Sequence, residues 1–213
     1  MSVLDPRAVG VYVVTSSGLI EGRGHLEVAL AAIRGGAGAI QLRAPELTDD
    51  ELFLLAEVLA PSCAGAHVLC VVNDRVEVAA RVGCSAHVGQ ADHPELGRAL
   101  LGSTGYLGVS VSDAAEARVA EALGADYLGV TVWATETKPE AQPSGLAGLR
   151  EIAGASSLPV VGIGGIDPSN AGEVLGAGAA GVAVVSAVGG ADDPEAATQE
   201  LVDAVTRWRG RHR

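Results

Sequence analysis

The sequence has few of the residues that characterise secreted, zinc-binding or membrane proteins. Its three cysteines, Cys63, Cys70 and Cys84, are odd in number and show neither CxxC spacing nor a nearby histidine pair at metal-ligand spacing. This pattern argues against a disulfide framework and against a zinc site, so we expect small core residues. No apolar run reaches transmembrane length, and the first residues lack a basic stretch followed by an apolar one. We therefore expect a cytoplasmic protein without a membrane anchor.

Positive charge is also scarce, since 14 basic residues face 26 acidic ones and the formal net charge is −12. Nucleic acids and anionic lipids bind basic surfaces that displace counterions, so neither is an expected partner. An anionic small molecule would have to be neutralised locally. Lys138, the only lysine, lies in a polar loop between Thr137 and Pro139, with Thr135 close by. This setting favours phosphate binding over an ordinary solvated lysine.

Apolar runs of strand length alternate with Ala-, Leu- and Glu-rich runs of helical character along the whole chain. This alternation is typical of parallel βα units, and glycines at several helix-to-strand joins suit tight turns. Eight such units in about two hundred residues predict a single-domain (β/α)8 barrel that spans residues 1–213. A doubly wound open sheet is the alternative, but the first strand-to-helix turn has no GxGxxG fingerprint.

The predicted elements follow in chain order. The strands are residues 11–15, 39–42, 68–72, 86–88, 106–111, 127–130, 159–163 and 181–185. The helices are residues 24–33, 48–59, 76–82, 94–101, 113–123, 146–153, 168–175 and 194–208.

Polar residues follow the predicted strands, at the edge where a barrel places its active site. Asp74 and Asp92 follow strands three and four, and with Asn73 they form an oxygen-rich group suited to Mg²⁺ and a diphosphate. Helix capping or a turn is the alternative role for each of them. Gly164-Gly165, expected to open a helix, and the turn at residues 185–187 predict a phosphate cradle after strands seven and eight.

His87 lies within a predicted strand, where a hydrogen-bonded histidine in the core or barrel wall is the expected role rather than a ligand. Short polar motifs at the other strand ends complete the pattern. They include Gln41-Leu42-Arg43 at the end of strand two and Ser110 in strand five.

Taken in order, these motifs resemble the thiamine phosphate synthase family, also known as thiamine-phosphate pyrophosphorylases. The resemblance covers nearly the whole chain. It rests on YVVT at 12–15, QLR at 41–43, VNDR at 72–75, HVGQAD at 87–92, GVS at 108–110, TETK at 135–138 and GIGGI at 162–166.

The resemblance implies a transferase that joins 4-amino-5-hydroxymethyl-2-methylpyrimidine diphosphate to thiazole phosphate, giving thiamine phosphate and diphosphate. It implies that Asp74 and Asp92 hold Mg²⁺ on the diphosphate, and that Ser110 lies near the pyrimidine. The diphosphate would also contact Gln41, Arg43, Asn73 and Lys138. The thiazole phosphate would contact Thr135, Thr137, Gly165, Val185 and Ser186. Arg43, Lys138 and Ser110 would take part directly in catalysis.

The chain departs from the family pattern at three places. Pro45 stands where the family usually has a lysine, Ser16 replaces a frequent aspartate, and Val130-Thr131 makes the loop before Thr135 one residue short. Two alternative functions therefore stay open: a thiazole tautomerase-like isomerase and a catalytically weak barrel that binds thiamine intermediates. Retention of Asn73 disfavours the isomerase, as does retention of the two aspartates and the lysine. A homo-oligomer is compatible with the sequence.

Overall fold

Eight parallel strands close into a barrel in the computed structural model, which describes residues 9–89, 92–134 and 142–212. Each strand pairs with the next one along the chain, and the eighth pairs with the first. The strands are β1 (Gly10–Val14), β2 (Ala39–Leu42), β3 (Leu69–Asn73), β4 (Ser85–Val88), β5 (Leu107–Ser110), β6 (Tyr127–Thr131), β7 (Val160–Ile163) and β8 (Gly181–Val184). The predicted (β/α)8 barrel is confirmed.

Helices follow the strands and cover the outside of the barrel. They are α1 (His25–Arg34), α2 (Asp49–Ala66), α3 (Val76–Val82), α4 (Pro94–Leu101), α5 (Ala114–Ala122), α6 (Gly145–Ala155), α7 (Ala171–Gly176), α8 (Ser186–Gly189) and α9 (Pro194–Arg211). None of the helices in the described ranges is both long enough and apolar enough to cross a membrane.

The strands are buried on both faces, which explains their nearly continuous apolar sequences. Side chains such as Ile40, Leu42 and Val72 point outwards and pack beneath the helices in the larger of two cores. Tyr12 and Tyr127 point inwards and fill the barrel with smaller side chains from other strands. Because successive side chains alternate between the faces, one residue on each strand can pack against a helix while its neighbour points into the barrel.

The cysteines occupy the core positions expected of them. Cys63 on α2, Cys70 on β3 and Cys84 just before β4 are buried free thiols that belong to the outer core. The expectation that they are small core residues is confirmed.

Two helical predictions need correction, and one short helix was missed. Helix α2 runs to Ala66, well past the predicted end at residue 59, and contains Pro61. Helix α7 begins at Ala171 rather than at residue 168, because the backbone N–H of Asp167 donates to Asn170 Oδ1 at 3.0 Å and forms a turn ahead of it. Helix α8, a single turn directly after β8, was not predicted, since four residues carry no readable periodicity.

Candidate active site

A cavity of about 390 Å³ opens at the carboxyl ends of the strands, where barrel enzymes bind their substrates. Its walls include residues from every strand or from the loop that follows it. Most of the predicted substrate-binding residues lie on these walls: Gln41, Arg43, Asn73, Ser110, Gly165, Val185 and Ser186. Thr135, Thr137 and Lys138 lie outside the described residues.

The floor of the cavity is a chain of hydrogen-bonded polar side chains that crosses the barrel. Gln41 Nε2 donates to the Tyr12 hydroxyl at 2.9 Å, and the hydroxyls of Tyr12 and Tyr127 are 2.9 Å apart. His87 Nδ1 lies 3.2 Å from the Tyr127 hydroxyl, and His87 Nε2 lies 2.9 Å from Ser110 Oγ. This row of hydrogen bonds therefore fixes the side chain of Gln41 at one end and that of Ser110 at the other.

Burial raises the pKa of both Tyr12 and Tyr127 well above the usual value for tyrosine. For Tyr127, the neighbouring Tyr12 adds to the effect. Both phenols are therefore neutral, and each keeps a proton to donate along the chain. The two phenols present polar but uncharged groups to the cavity, which suit a neutral heterocycle better than an anion.

Sequence reasoning missed Tyr12 and Tyr127 as site residues. His87 is a hydrogen-bonded barrel-wall histidine as expected, and it also lines the cavity. The glycines in β5 and β6, Gly108 and Gly129, were a sequence signal that large rings lie beside them. A Cβ on Gly108 would lie 2.2 Å from Tyr127 Cζ and 2.4 Å from His87 Nδ1, and one on Gly129 would lie 2.9 Å from His87 Cε1. Glycine at these inward positions leaves space for the two rings.

Asp74 and Asp92 lie at the ends of neighbouring strands, because β3 pairs with β4. Both residues are exposed. Asp74 has the left-handed φ of 62°, its backbone N–H donates to the His87 carbonyl at 2.8 Å, and Asn73 Nδ2 donates to its carboxylate at 2.6 Å. An aspartate held in this sparsely populated conformation suggests a functional constraint on its side chain.

Asp92 accepts the backbone N–H of Gly89 at 3.0 Å. The N-cap positions of the two following helices belong to Arg75 and His93, so neither aspartate is the N-cap residue considered as an alternative. No group of three His, Cys, Asp or Glu side chains in the described ranges could hold a metal ion by itself. Two exposed carboxylates nevertheless fit Mg²⁺, which commonly uses one or two carboxylates together with water and phosphate oxygens.

The opposite side of the cavity is formed by the ends of β7 and β8. Gly164 and Gly165 have φ values of 100° and 62°, and a Cβ on Gly164 would lie 2.4 Å from the Trp133 carbonyl oxygen. Asn170 Nδ2 donates to the Gly165 carbonyl at 2.9 Å and holds this turn. The prediction that the two glycines open a helix is wrong, because the intervening turn delays α7. The helix at this part of the cavity is α8, whose first residue is Ser186.

Barrels frequently bind phosphate between the loops after strands seven and eight and the N-terminus of a short extra helix. The turn at Gly164-Gly165 and helix α8 have this arrangement. On the far side of α8, the Arg23 guanidinium donates to the carbonyls of Gly189, Ala191 and Asp192, which holds the end of the helix in place.

Comparisons with known proteins agree with this geometry. The family model described as thiamine monophosphate synthase matches residues 11–188. The chain is 47% identical over 205 residues to a thiamine-phosphate synthase of Moorella thermoacetica, covering 94% of this chain and 98% of the relative. It is 46% identical to one of Natronomonas pharaonis, with 92% and 94% covered. The solved thiamine phosphate pyrophosphorylase of Pyrococcus furiosus superposes with a TM-score of 0.87 at 37% identity, covering 95% of this chain and 98% of that one.

Proposed function

Because the chain belongs to the thiamine monophosphate synthase family, we propose that its cavity binds 4-amino-5-hydroxymethyl-2-methylpyrimidine diphosphate and thiazole phosphate side by side and joins them. The chain is a transferase of thiamine biosynthesis that forms thiamine phosphate. The observation that carries the assignment of substrates is the shape of the site. Residues suited to anions lie on opposite sides of one cavity, with two neutral tyrosines in the floor between them.

The diphosphate belongs on the side formed by β2, β3 and β4. Arg43 and Asn73 line the cavity there, and Arg43 can bind phosphate oxygens through its planar guanidinium. Asp74 and Asp92 would hold Mg²⁺, and Lys138 would be a further cation for the leaving group. When bound, the metal would neutralise charge on the departing diphosphate. A chain with net charge −12 needs such local neutralisation for a doubly phosphorylated substrate.

The pyrimidine ring belongs over the floor of the cavity. Gln41 and Ser110, at the two ends of the hydrogen-bonded chain, would contact its polar edge, and the neutral tyrosines beneath them would exclude water from it. The thiazole phosphate belongs at the opposite side, against Gly165, Val185 and Ser186, with Thr135 and Thr137 as further donors.

The reaction needs no covalent nucleophile. Departure of diphosphate leaves a pyrimidine methyl cation, and the thiazole nitrogen donates its electron pair to the exocyclic carbon to form the new bond. Arg43 and Lys138 stabilise the leaving anion, and Ser110 orients the ring. Catalysis then rests on placing two substrates correctly and on stabilising one leaving group.

The alternatives predict different outcomes in a single assay. Purified protein with both substrates and Mg²⁺ should release diphosphate and form thiamine phosphate, and omission of either substrate should stop both products. An isomerase would convert a thiazole substrate without the pyrimidine. A binding protein would retain one or both substrates without turnover. The second and third outcomes would each contradict the proposed reaction.

Four further points belong to this proposal. Mg²⁺ is the metal, small phosphorylated molecules are the partners, and residues 1–213 form one domain. We place the protein in the cytoplasm, which is supported by three cysteines present as free thiols. A homo-oligomer stays a prediction.

A further inference from the structure

A buried histidine outside the cavity links the ends of the first two strands. His25, the first residue of α1, is 8% exposed. Its Nδ1 lies 2.8 Å from Thr15 Oγ1, and its Nε2 lies 2.6 Å from a carboxylate oxygen of Glu46. Thr15 Oγ1 also accepts the backbone N–H of Arg43 at 3.3 Å. A continuous hydrogen-bonded chain therefore runs from Glu46 to the backbone of Arg43.

For a neutral imidazole, donor and acceptor capacities give these hydrogen bonds one consistent direction. If neutral His25 carries its proton on Nε2, it donates to the Glu46 carboxylate, which can only accept. The Thr15 hydroxyl then donates to Nδ1 and accepts from the Arg43 N–H, so every group is satisfied. Burial alone would raise the pKa of Glu46, but hydrogen bonds, of which that from His25 is the largest, lower it and keep the carboxylate ionised.

The order of carboxylate, imidazole and hydroxyl resembles a hydrolytic triad, but the surroundings exclude that role. Thr15 is 0% exposed and is not part of the cavity wall. Its hydroxyl is already engaged on both sides, so it cannot attack a bound substrate. The function of these residues must therefore be exerted through the groups that they hold.

Those groups belong to the predicted diphosphate site. The backbone N–H of Thr15 donates to the Gln41 carbonyl at 2.9 Å, extending the pairing of β1 and β2 by one residue beyond the end of β1. The side chain of the same threonine holds Arg43, two residues further on. Both Gln41 and Arg43 present their side chains to the cavity. One buried threonine thus sets the position of two consecutive inward-facing residues.

We propose that Thr15, His25 and Glu46 are positioning residues for Arg43, fixing the point from which its guanidinium reaches the diphosphate. This inference rests on the proposed function. A guanidinium binds a phosphate group through a planar, directional set of N–H donors, so a small displacement of its backbone weakens the contact. The hydrogen bonds from Glu46 through buried His25 and Thr15 oppose that displacement, since each residue is held by the next.

Thr15→Val is the first test, because it removes the hydroxyl with little change in volume. We expect the Kd for inorganic diphosphate with Mg²⁺, measured by calorimetry, and the KM for the pyrimidine diphosphate to rise about 5- to 30-fold, since a charge-assisted contact is weakened rather than lost. The KM for thiazole phosphate should not change. Thr15→Ser should restore diphosphate binding, because serine keeps the hydroxyl.

Glu46 gives an independent test at a partly exposed position. Glu46→Ala should raise the same two diphosphate constants about 3- to 10-fold, because His25 loses the acceptor that orients it. Glu46→Gln keeps an acceptor oxygen and should have a smaller effect. The matched control is Thr198→Val, since Thr198 is equally buried and its hydroxyl donates to the Pro194 carbonyl at 2.7 Å, far along the chain from the site.

The outcomes separate this inference from the proposed function. If the wild type turns over and both Thr15→Val and Glu46→Ala bind diphosphate as tightly as it does, the positioning role is wrong. An equal rise in the KM for both substrates would also overturn the positioning role, because it would indicate a general structural defect. The same conclusion would follow if Thr198→Val raised the diphosphate Kd and KM as much as Thr15→Val does. A wild type that neither turns over nor binds diphosphate would instead refute the proposed function. If Thr15→Val does not fold, Glu46→Ala decides by the same measurements.

Discussion

Gly108→Ala should lower turnover by displacing the rings in the floor of the cavity, although it replaces no residue that is proposed to contact substrate. The added Cβ would lie 2.2 Å from Tyr127 Cζ and 2.4 Å from His87 Nδ1, whereas ordinary contacts between carbon atoms are about 3.5–4.0 Å. At least one ring must therefore move by about 1 Å. Tyr127 is 1% exposed and hydrogen-bonded to Tyr12, so its displacement is resisted on every side.

Two magnitudes follow from this overlap. Inserting a methyl group into a packed interior costs about 1–3 kcal/mol, and each kcal/mol lowers the Tm of a domain of this size by about 2–4 °C. Movement of His87 also displaces Ser110, its hydrogen-bond partner at 2.9 Å. A misplacement of about 1 Å can lower kcat by about 100-fold. We therefore expect a large loss of turnover in a protein that still folds.

Steady-state kinetics and thermal unfolding of three variants test this reasoning. Gly129→Ala should show a smaller defect, because its Cβ would lie 2.9 Å from the edge of the His87 ring. Gly154→Ala is the control, because a Cβ at this exposed position near the end of α6 would meet no neighbouring side chain or loop within 4 Å, so turnover and Tm should change little. Wild-type kcat in Gly108→Ala would show that the floor of the cavity does not orient the substrate.

Three further predictions concern the anion sites. Asp74→Ala or Asp92→Ala should abolish turnover with little change in Tm, since both residues are exposed; activity of either variant in the presence of a chelator would contradict the metal assignment. Lys138→Ala should lower kcat through slower diphosphate departure, while Ser186→Ala should raise the KM for thiazole phosphate. If both variants raised the KM for the same substrate only, the assignment of two separate anion sites would be wrong. Pro45→Lys should raise kcat/KM for the pyrimidine diphosphate by about 10-fold or more, because one charge-assisted contact contributes about 1.5–3 kcal/mol. An unchanged or lower kcat/KM would show that the loop needs no added charge.

The barrel could be predicted from the sequence because strands buried on both faces give continuous apolar runs that end at polar residues. The end of α2 could not, because Pro61 usually indicates that a helix stops. Here Pro61 is exposed, and Cys63 two residues later is packed in the core at 1% exposure. The helix therefore continues past Pro61 despite one missing backbone hydrogen bond, and Cys63 is the one buried residue of its last turn.

The rim of the site was predictable to a greater degree than its floor. Arg43 and Ser186 follow strands and Asn73 ends one, so their location at the mouth of the barrel follows from the order of elements alone. Tyr12 and Tyr127 are 115 residues apart, and their contact depends on how the barrel closes. Strand alternation indicates that a side chain points inwards, but it does not indicate which inward side chains meet.

The loop after β2 departs from the family pattern beside the proposed diphosphate site. Arg75 could have replaced the cation that Pro45 removes, but its guanidinium is engaged within the protein. It donates to the carbonyls of Ala44 at 3.3 Å and Pro45 at 3.5 Å, and it pairs with Asp49 at 3.2 Å. These contacts, together with the fixed φ of proline, hold the loop in one conformation. If the diphosphate binds here as proposed, the site has one cation fewer than the family pattern, so binding depends more strongly on the placement of Arg43.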